Sequence, residues 1–384
     1  MLGVSIIGIG QTIVGEHWDF SWRDLVIEAG TVALRDAGSP QIDALFVANA
    51  YASVFNQQSQ MGALIADLLG LQGIEAYTVE AADASGGVAL RAALLALASG
   101  QIKTAMVLGI EKTTDLMGPD RDRARSISLD AEFEALQGAT LASMAALLMC
   151  RYMYEYDLSL EVFEGFSINA HANGRLNPYA MYRNLLRSGS FQHAPMVADP
   201  VNLFDMAPDG DGAAALILTR TDLAADKVEK PIQIIGSSVS TDTLTLQERA
   251  NPLILTAVAQ SYQKALLQAQ IKPDEIDLME VHDAFTILTT LSLEAMGFAE
   301  KGKGWQLANE EVIGLKSKLP LSTMGGLKAR GNPAGATGVY QAVEACLQLR
   351  SEAGPNQVSD AQYALIQSVG GLASTVATHI LTNR

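Results

Sequence analysis

Two glycine-rich junctions in this sequence have the residue types and spacing to hold developing negative charge. The first is Val79-Glu80-Ala81-Ala82-Asp83-Ala84-Ser85-Gly86-Gly87, which runs into the apolar stretch Val88–Leu97. The second is Gly325-Gly326-Leu327-Lys328-Ala329-Arg330-Gly331-Asn332-Pro333-Ala334-Gly335-Ala336-Thr337-Gly338, which opens another helix-like run. At a helix start the first backbone N–H groups have no partner inside the helix, and the helix dipole adds partial positive charge. Glycine there lets a ligand carbonyl come close to the backbone. A third glycine pair, Gly370-Gly371, directly follows the strand-like run Ala364–Val369. N–H groups converging from these loops would stabilise an enolate or an oxyanion. Glycine-rich turns alone are a weak signal, because packing uses them too. No P-loop or metal-ligand spacing is present, and Gly8-Ile9-Gly10 lacks the third glycine and the downstream acid of a dinucleotide fingerprint.

The elements that must position these loops alternate along the chain. Ile6–Ile9, Ala44–Ala48, Ala105–Gly109, Ala214–Leu218, Ile232–Ile235, Leu278–Val281 and Ala364–Val369 read as buried strands. Trp22–Asp36, Gly87–Ser99, Gly138–Tyr156, Leu253–Ala269 and Thr337–Leu349 read as helices. Such alternation predicts an α/β fold with a largely parallel sheet. The order also repeats. Ile6-Ile7-Gly8, a helix, Ile42-Asp43 and a strand ending at Asn49-Ala50 correspond to Ile234-Ile235-Gly236, a helix, Ile276-Asp277 and a strand running into His282-Asp283-Ala284. The pattern predicts two duplicated halves, 1–225 and 231–384, joined by the charged linker Ala224–Lys230. The stretch from about 111 to 200 has no counterpart in the second half and is expected to be an inserted loop domain. Glycine-rich loops in such a fold would meet at one end of the sheet.

Composition excludes several function classes. The 384 residues suit two fused domains, and with 49% apolar and 18% charged residues the chain can bury a large core. A net charge of −16 leaves no electrostatic footprint for nucleic acid or an anionic membrane surface. Only two cysteines occur, Cys150 and Cys346, each in a helix-like apolar run and each expected in the core. They exclude a disulfide framework. The amino terminus reads as a first strand rather than a signal peptide, and no apolar run is long enough to span a membrane, so a cytoplasmic location is expected. The charged stretch Asp115–Arg125 is expected to be a solvated loop.

Gly8-Ile9-Gly10-Gln11-Thr12, Val79–Arg91, Asn177-Pro178-Tyr179-Ala180, Asp209-Gly210-Asp211-Gly212-Ala213-Ala214, Val281-His282-Asp283 and Gly325–Gly338 together resemble a thiolase. They lie closest to the branch of sterol-carrier-protein-type and archaeal acetoacetyl-CoA thiolases, and the resemblance runs from Val4 to Leu381 in collinear order. It implies the thiolase fold: two βαβαβαββ halves in a layered αβαβα architecture, with two mixed five-stranded sheets around central helices. It implies a homodimer or tetramer, and coenzyme A as carrier of the substrate with no covalently bound cofactor. Thiolases of this branch use a nucleophilic cysteine at the start of the first central helix, an activating histidine in Gly-His-Pro, and His-Asp-Cys-Phe. Here Asp83 stands for the nucleophile, Asn332 for the activating histidine and Ala284 for the second cysteine. His282 is kept, as are the backbone donors expected at residue 83 and Gly370.

Each candidate has more than one reading. Asp83 could be a general base, a carboxylate touching substrate, or a helix N-cap. Asn332 could donate to a thioester oxygen beside His282, or cap the loop before Pro333. Gly370 and Gly371 could serve an oxyanion or simply turn the chain, and Ser368 beside them could supply a polar group. Loss of nucleophile and base together removes acyl-enzyme formation, since a carboxylate gives a hydrolytically unstable anhydride and an amide takes no proton near pH 7. Two functions fit. One is an acyl-CoA enzyme that makes or breaks a C–C bond without a covalent intermediate, by retro-aldol or Claisen-type chemistry. The other is a non-catalytic subunit pairing with an active thiolase-fold or OB-fold partner.

Overall fold

The structure is a computed structural model describing residues 3–309 and 312–384. Nine strands form one mixed sheet: β1 (Val4–Gln11), β2 (Ala44–Ala48), β3 (Glu75–Val79), β4 (Thr104–Glu111), β5 (Gly212–Arg220), β6 (Ile232–Thr241), β7 (Leu278–Glu280), β8 (Tyr363–Gly370) and β9 (Thr375–Thr382). Their order across the sheet is β3-β2-β4-β5-β1-β6-β9-β8-β7. The resemblance implied two five-stranded sheets, and here the structure differs. Antiparallel pairing of Val4–Ile6 with Ile232–Ile234 joins the halves into one sheet. Among the described residues the second half contributes four strands, its fifth being reduced to a parallel bridge between Met279 and Leu321.

Side-chain alternation along the strands sorts the core into layers. In β2, Leu45 and Val47 face an outer core with helices α1 (Trp22–Asp36) and α2 (Met61–Leu68). Phe46 and Ala48 face an inner core with α3 (Ser85–Ala98). A third core joins the loop-domain helix α5 (Leu141–Tyr156), which follows α4 (Pro119–Arg125), to α7 (Thr256–Ala269) and α8 (Thr286–Ala295); α6 (Glu164–Gly174) lies between them in sequence. The last long helix, α9 (Thr337–Leu349), lies beside α3 between the two parts of the sheet. The layered thiolase arrangement is therefore present.

Local sequence explains these contacts. Helix α1 starts at a Ser21–Asp24 capping box, and Trp22, Leu25, Val26, Ala29 and Ala33 share its buried face. It sits close on β1 because Gly8 carries no side chain: an added Cβ would lie 2.4 Å from the Ala33 carbonyl oxygen. Gly236 plays the same part in β6, where a Cβ would lie 2.3 Å from the Ala265 carbonyl oxygen of α7. Helices α3 and α9 meet at their glycine-rich starts, where a Cβ on Gly338 would lie 2.4 Å from the Gly87 nitrogen. Gly86 and Gly338 thus serve helix–helix approach, while Gly87 lets α3 sit on the sheet, where a Cβ would lie 2.7 Å from Ala377 Cβ of β9 and 2.9 Å from Ser368 Oγ of β8.

Two sequence expectations are corrected. Cys346 is buried in α9, but Cys150 is exposed. It lies on the face of α5 that also exposes Leu147, Arg151 and Tyr154, while Ala146, Met149 and Tyr152 point inward. An apolar run in sequence hides which side of a helix a residue takes. The stretch Asp115–Arg125 is likewise not all a solvated loop: Pro119–Arg125 form α4, and Ala124 and Arg125 are buried at its end. Among the described residues no helix is long and apolar enough to cross a membrane.

Candidate active site

Asp83 is presented by a tight turn between β3 and α3. Ala82 takes a positive φ of 49°, and the Ser85 hydroxyl pins the turn by accepting from the Ala81 N–H at 2.9 Å and donating to the Ala82 carbonyl. The helix is capped by Ala84 with no side-chain cap, so the N-cap reading of Asp83 does not hold. The residue is 4% exposed, and its carboxylate is turned to tertiary partners instead. Oδ1 accepts from the Tyr51 hydroxyl at 3.1 Å, and Oδ2 accepts from Arg125 Nη2 at 2.9 Å and Asn332 Nδ2 at 3.3 Å.

Asn332 reaches Asp83 from the second glycine-rich loop. Its Oδ1 accepts from the Thr337 hydroxyl at 2.7 Å, which directs Nδ2 toward the carboxylate. The side chain therefore bridges the first residue of α9 to Asp83 rather than capping backbone. An amide nitrogen carries two N–H donors, and the bond to Asp83 uses one of them. The loop before it is held by Asp283, whose carboxylate accepts from the Leu327 N–H at 2.7 Å and packs where a Cβ on Gly326 would collide. His282, adjacent in sequence, is 2% exposed. Its Nε2 lies 3.9 Å from Asp83 Oδ2, beyond hydrogen-bond range, and its Nδ1 is buried without a partner.

Asp83, Arg125, Asp209, His282, Asn332 and Gly371 line one cavity of 210 Å³, whose apolar wall includes Leu141, Ala142, Val197, Ala284 and Phe285. Gly370 ends β8 one residue outside this lining, packed so that a Cβ would lie 2.5 Å from the Ala81 carbonyl oxygen. Ser368 is turned away, donating to Gln341 Oε1 at 3.0 Å. Neither cysteine is among the lining residues. Sequence reading missed three contributors. Arg125 pairs with Asp83 and, at 3.5 Å, with Asp209, and its guanidinium lies 4.9 Å from the centre of the Tyr51 ring. Nothing in the alternating charges of Asp120–Arg125 marks the last arginine as buried. Tyr51 directly follows the strand end Asn49-Ala50, and Asp209 opens a block that carries the family resemblance, so those positions were the available signal.

The electrostatics follow from this packing. Burial pushes the Asp83 carboxyl up, but Arg125, then His282, then the hydrogen bonds from Asn332 and Tyr51 outweigh it and hold its pKa below the ordinary value. Burial raises Asp209 against the pull of Arg125. His282 is pushed by burial down to about 4, despite the opposing pull of Asp83, so it is neutral at pH 7. An unfolded histidine titrates near ~6.5. Between those values the unfolded chain holds a proton that folded His282 lacks, so His282 makes the fold less stable as pH falls through this range. Buried Glu111, pushed up to about 7 by burial, acts in the opposite sense, so comparison with a variant isolates the histidine. The stability difference between wild type and His282→Asn is expected to change by about 2 kcal/mol between pH 7 and pH 5, wild type losing more in acid. Urea denaturation at both pH values measures it, and a pH-independent difference would refute a neutral buried His282.

Residues 4–184 match the thiolase N-terminal domain, and residues 238–383 match the thiolase C-terminal domain-like family. The chain is 39% identical to an acetyl-CoA acetyltransferase of Methanothermobacter thermautotrophicus over the whole of both chains. It is 28% identical to human sterol carrier protein 2, over 98% of this chain and 71% of the relative. The solved Ltp2-ChsH2(DUF35) aldolase superposes with a TM-score of 0.86 at 23% identity, over 99% of this chain and 98% of that one. Human mitochondrial 3-ketoacyl-CoA thiolase in complex with CoA superposes with a TM-score of 0.75 at 17% identity, over 100% and 98%. These two structural likenesses concern the fold.

Proposed function

This chain belongs to the thiolase family, and from that premise we propose that it binds an acyl-CoA thioester in the 210 Å³ cavity and acts on a C–C bond without an acyl-enzyme intermediate. One observation carries the reading. Asp83, ion-paired to Arg125, stands just before α3, where the resemblance to thiolases puts a nucleophilic cysteine, and no cysteine lines the cavity. Coenzyme A is then the carrier of the substrate rather than a resident cofactor. The thioester oxygen accepts from His282 and from the second N–H of Asn332. The backbone at residue 83 and at Gly370 or Gly371 offers a further donor set. Neutral His282 suits this role, because it can donate a hydrogen bond without placing a charge in the site.

The non-catalytic alternative draws support from the same carboxylate, since Asp83 is already satisfied by Tyr51, Arg125 and Asn332. In that reading the protein is a subunit for a thiolase-fold or OB-fold partner, and the two-component name of the Ltp2-ChsH2(DUF35) aldolase fits such pairing. A homodimer or tetramer in the cytoplasm is the assembly expected under either reading.

Calorimetry with short, branched and steroid-like acyl-CoAs tests the proposal. At least one thioester is expected to bind more tightly than about 1 mM, roughly −4 kcal/mol. Truncation in His282→Ala is expected to weaken it about tenfold, the scale of one lost hydrogen bond. No binding by any thioester at millimolar concentration would leave only the scaffold reading.

A further inference from the structure

Asp83 and Arg125 meet as a full acceptor and a full donor inside one small cavity, with Asp83 Oδ2 and Arg125 Nη2 2.9 Å apart. An ionised carboxylate only accepts hydrogen bonds and a guanidinium only donates them. Arg125 commits Nη2 to Asp83 and Nε to Asp209, while its Nη1 is buried with no partner. Buried donors in native folds are normally satisfied, so this group has capacity for one more oxygen. Leu141, Ala142, Val197, Ala284 and Phe285 make an apolar part of the remaining wall, to which Asp122 and Thr140 add polar groups.

We infer that the site selects a thioester bearing a hydroxyl on the carbon β to the carbonyl, and that Arg125 and Asp83 together read that hydroxyl. The inference rests on the acyl-CoA reading above. A hydroxyl can donate to Asp83 and accept from Arg125 at once. A β-keto oxygen can only accept, and it would face the Asp83 carboxylate. A saturated acyl group would cover the ion pair and leave Arg125 Nη1 without an acceptor. With the thioester oxygen on His282 and Asn332, the β-carbon then lies toward the Asp83–Arg125 pair.

The chemistry balances without any added reagent. The hydroxyl proton passes to the Asp83 carboxylate and the C–O bond becomes a carbonyl. The bond between the α and β carbons breaks, and its electron pair forms an enolate whose oxygen is held by His282 and Asn332. The proton returns from Asp83 to the α carbon. The products are a carbonyl compound and a shortened acyl-CoA, which is a retro-aldol cleavage. The forward direction is the reverse of each step.

Calorimetry on wild type, Asp83→Asn and Arg125→Gln with racemic 3-hydroxybutyryl-CoA, acetoacetyl-CoA and butyryl-CoA decides it. Wild type is expected to prefer the hydroxy thioester over both others by about tenfold or more, since a paired site rejects ligands that leave it unpaired. Arg125→Gln is expected to lose that preference. Asp83→Asn, whose amide can donate, is expected to shift preference toward acetoacetyl-CoA. Equal affinities in wild type, or tightest binding of acetoacetyl-CoA, overturn this inference alone. Absence of binding by all three overturns the acyl-CoA reading and this inference with it. The wild-type ranking needs no variant, so a poorly folded Arg125→Gln does not blunt the test. A preference that survives in well-folded Arg125→Gln removes Arg125 from the assignment.

Discussion

Acetoacetyl-CoA is expected to remain uncleaved when wild-type protein is given CoA, and neither Cys150 nor Cys346 is expected to carry an acyl group. Thiolysis needs a thiolate to form the acyl-enzyme and a base to generate it. The position expected for the nucleophile holds Asp83, ion-paired to Arg125, and the position expected for the base holds Asn332, an amide. Cys346 is buried, and burial pushes its thiol up to about 12, so it holds almost no thiolate at pH 7. Cys150 is exposed on α5 and lies outside the cavity lining. In a protease, removing nucleophile or base costs about a millionfold in turnover, which sets the scale of the deficit. The triple variant Asp83→Cys, Ala284→Cys, Asn332→His is expected to show measurable thiolysis. Positions 83, 284 and 332 all line the same cavity, so the restored groups would face one another. Mass spectrometry finding an acetyl group on a wild-type cysteine during turnover would sink the first half. A folded but inactive triple variant would mean that the loops no longer hold thiolase geometry.

Replacing Asp83 with alanine is expected to cost about 3 kcal/mol of stability at pH 7. Breaking a buried ion pair leaves the other charge uncompensated, a loss of about 3–5 kcal/mol, and Arg125 keeps Asp209 as a second partner. The stabilisation from Asp83 is complete above the ordinary carboxylate range, because its folded pKa is lowered. It disappears only as pH falls through that lowered value, so pH 7 measures all of it. The double variant Asp83→Ala, Arg125→Leu is expected to be more stable than the sum of the single changes, since the guanidinium is then not left without Asp83, while the loss of Asp209's partner is common to it and to Arg125→Leu alone. Urea unfolding of the four proteins of this cycle gives the coupling directly. A single Asp83→Ala change costing under about 0.5 kcal/mol would show that Arg125 is content without it.

Part of this site was legible in the residues before any coordinates. Asp83, His282 and Asn332 were singled out, and they converge on one cavity lining. Gly370 was not placed there; its neighbour Gly371 was. The glycines of the two junctions were harder to read, because a glycine required by helix crossing and one required by a ligand look alike in sequence. Gly86 and Gly338 prove to be packing sites between two helices, and Gly87 one between a helix and the sheet.

By itself the sequence determined the α/β class, most strand and helix positions and the family resemblance, because these rest on local periodicity and short blocks. Strand β3, half exposed at the sheet edge, and β9, rich in threonine, escaped that reading because neither is a continuous apolar run. The tertiary structure alone decided what Asp83 touches. Tyr51 is 32 residues away, Arg125 is 42 and Asn332 is 249, and only the stacking of α3 against α9 and the folding of α4 over the site bring them together. Burial is also a property of that assembly: it makes His282 neutral and leaves Arg125 with an unpaired donor, and neither follows from a residue's neighbours along the chain.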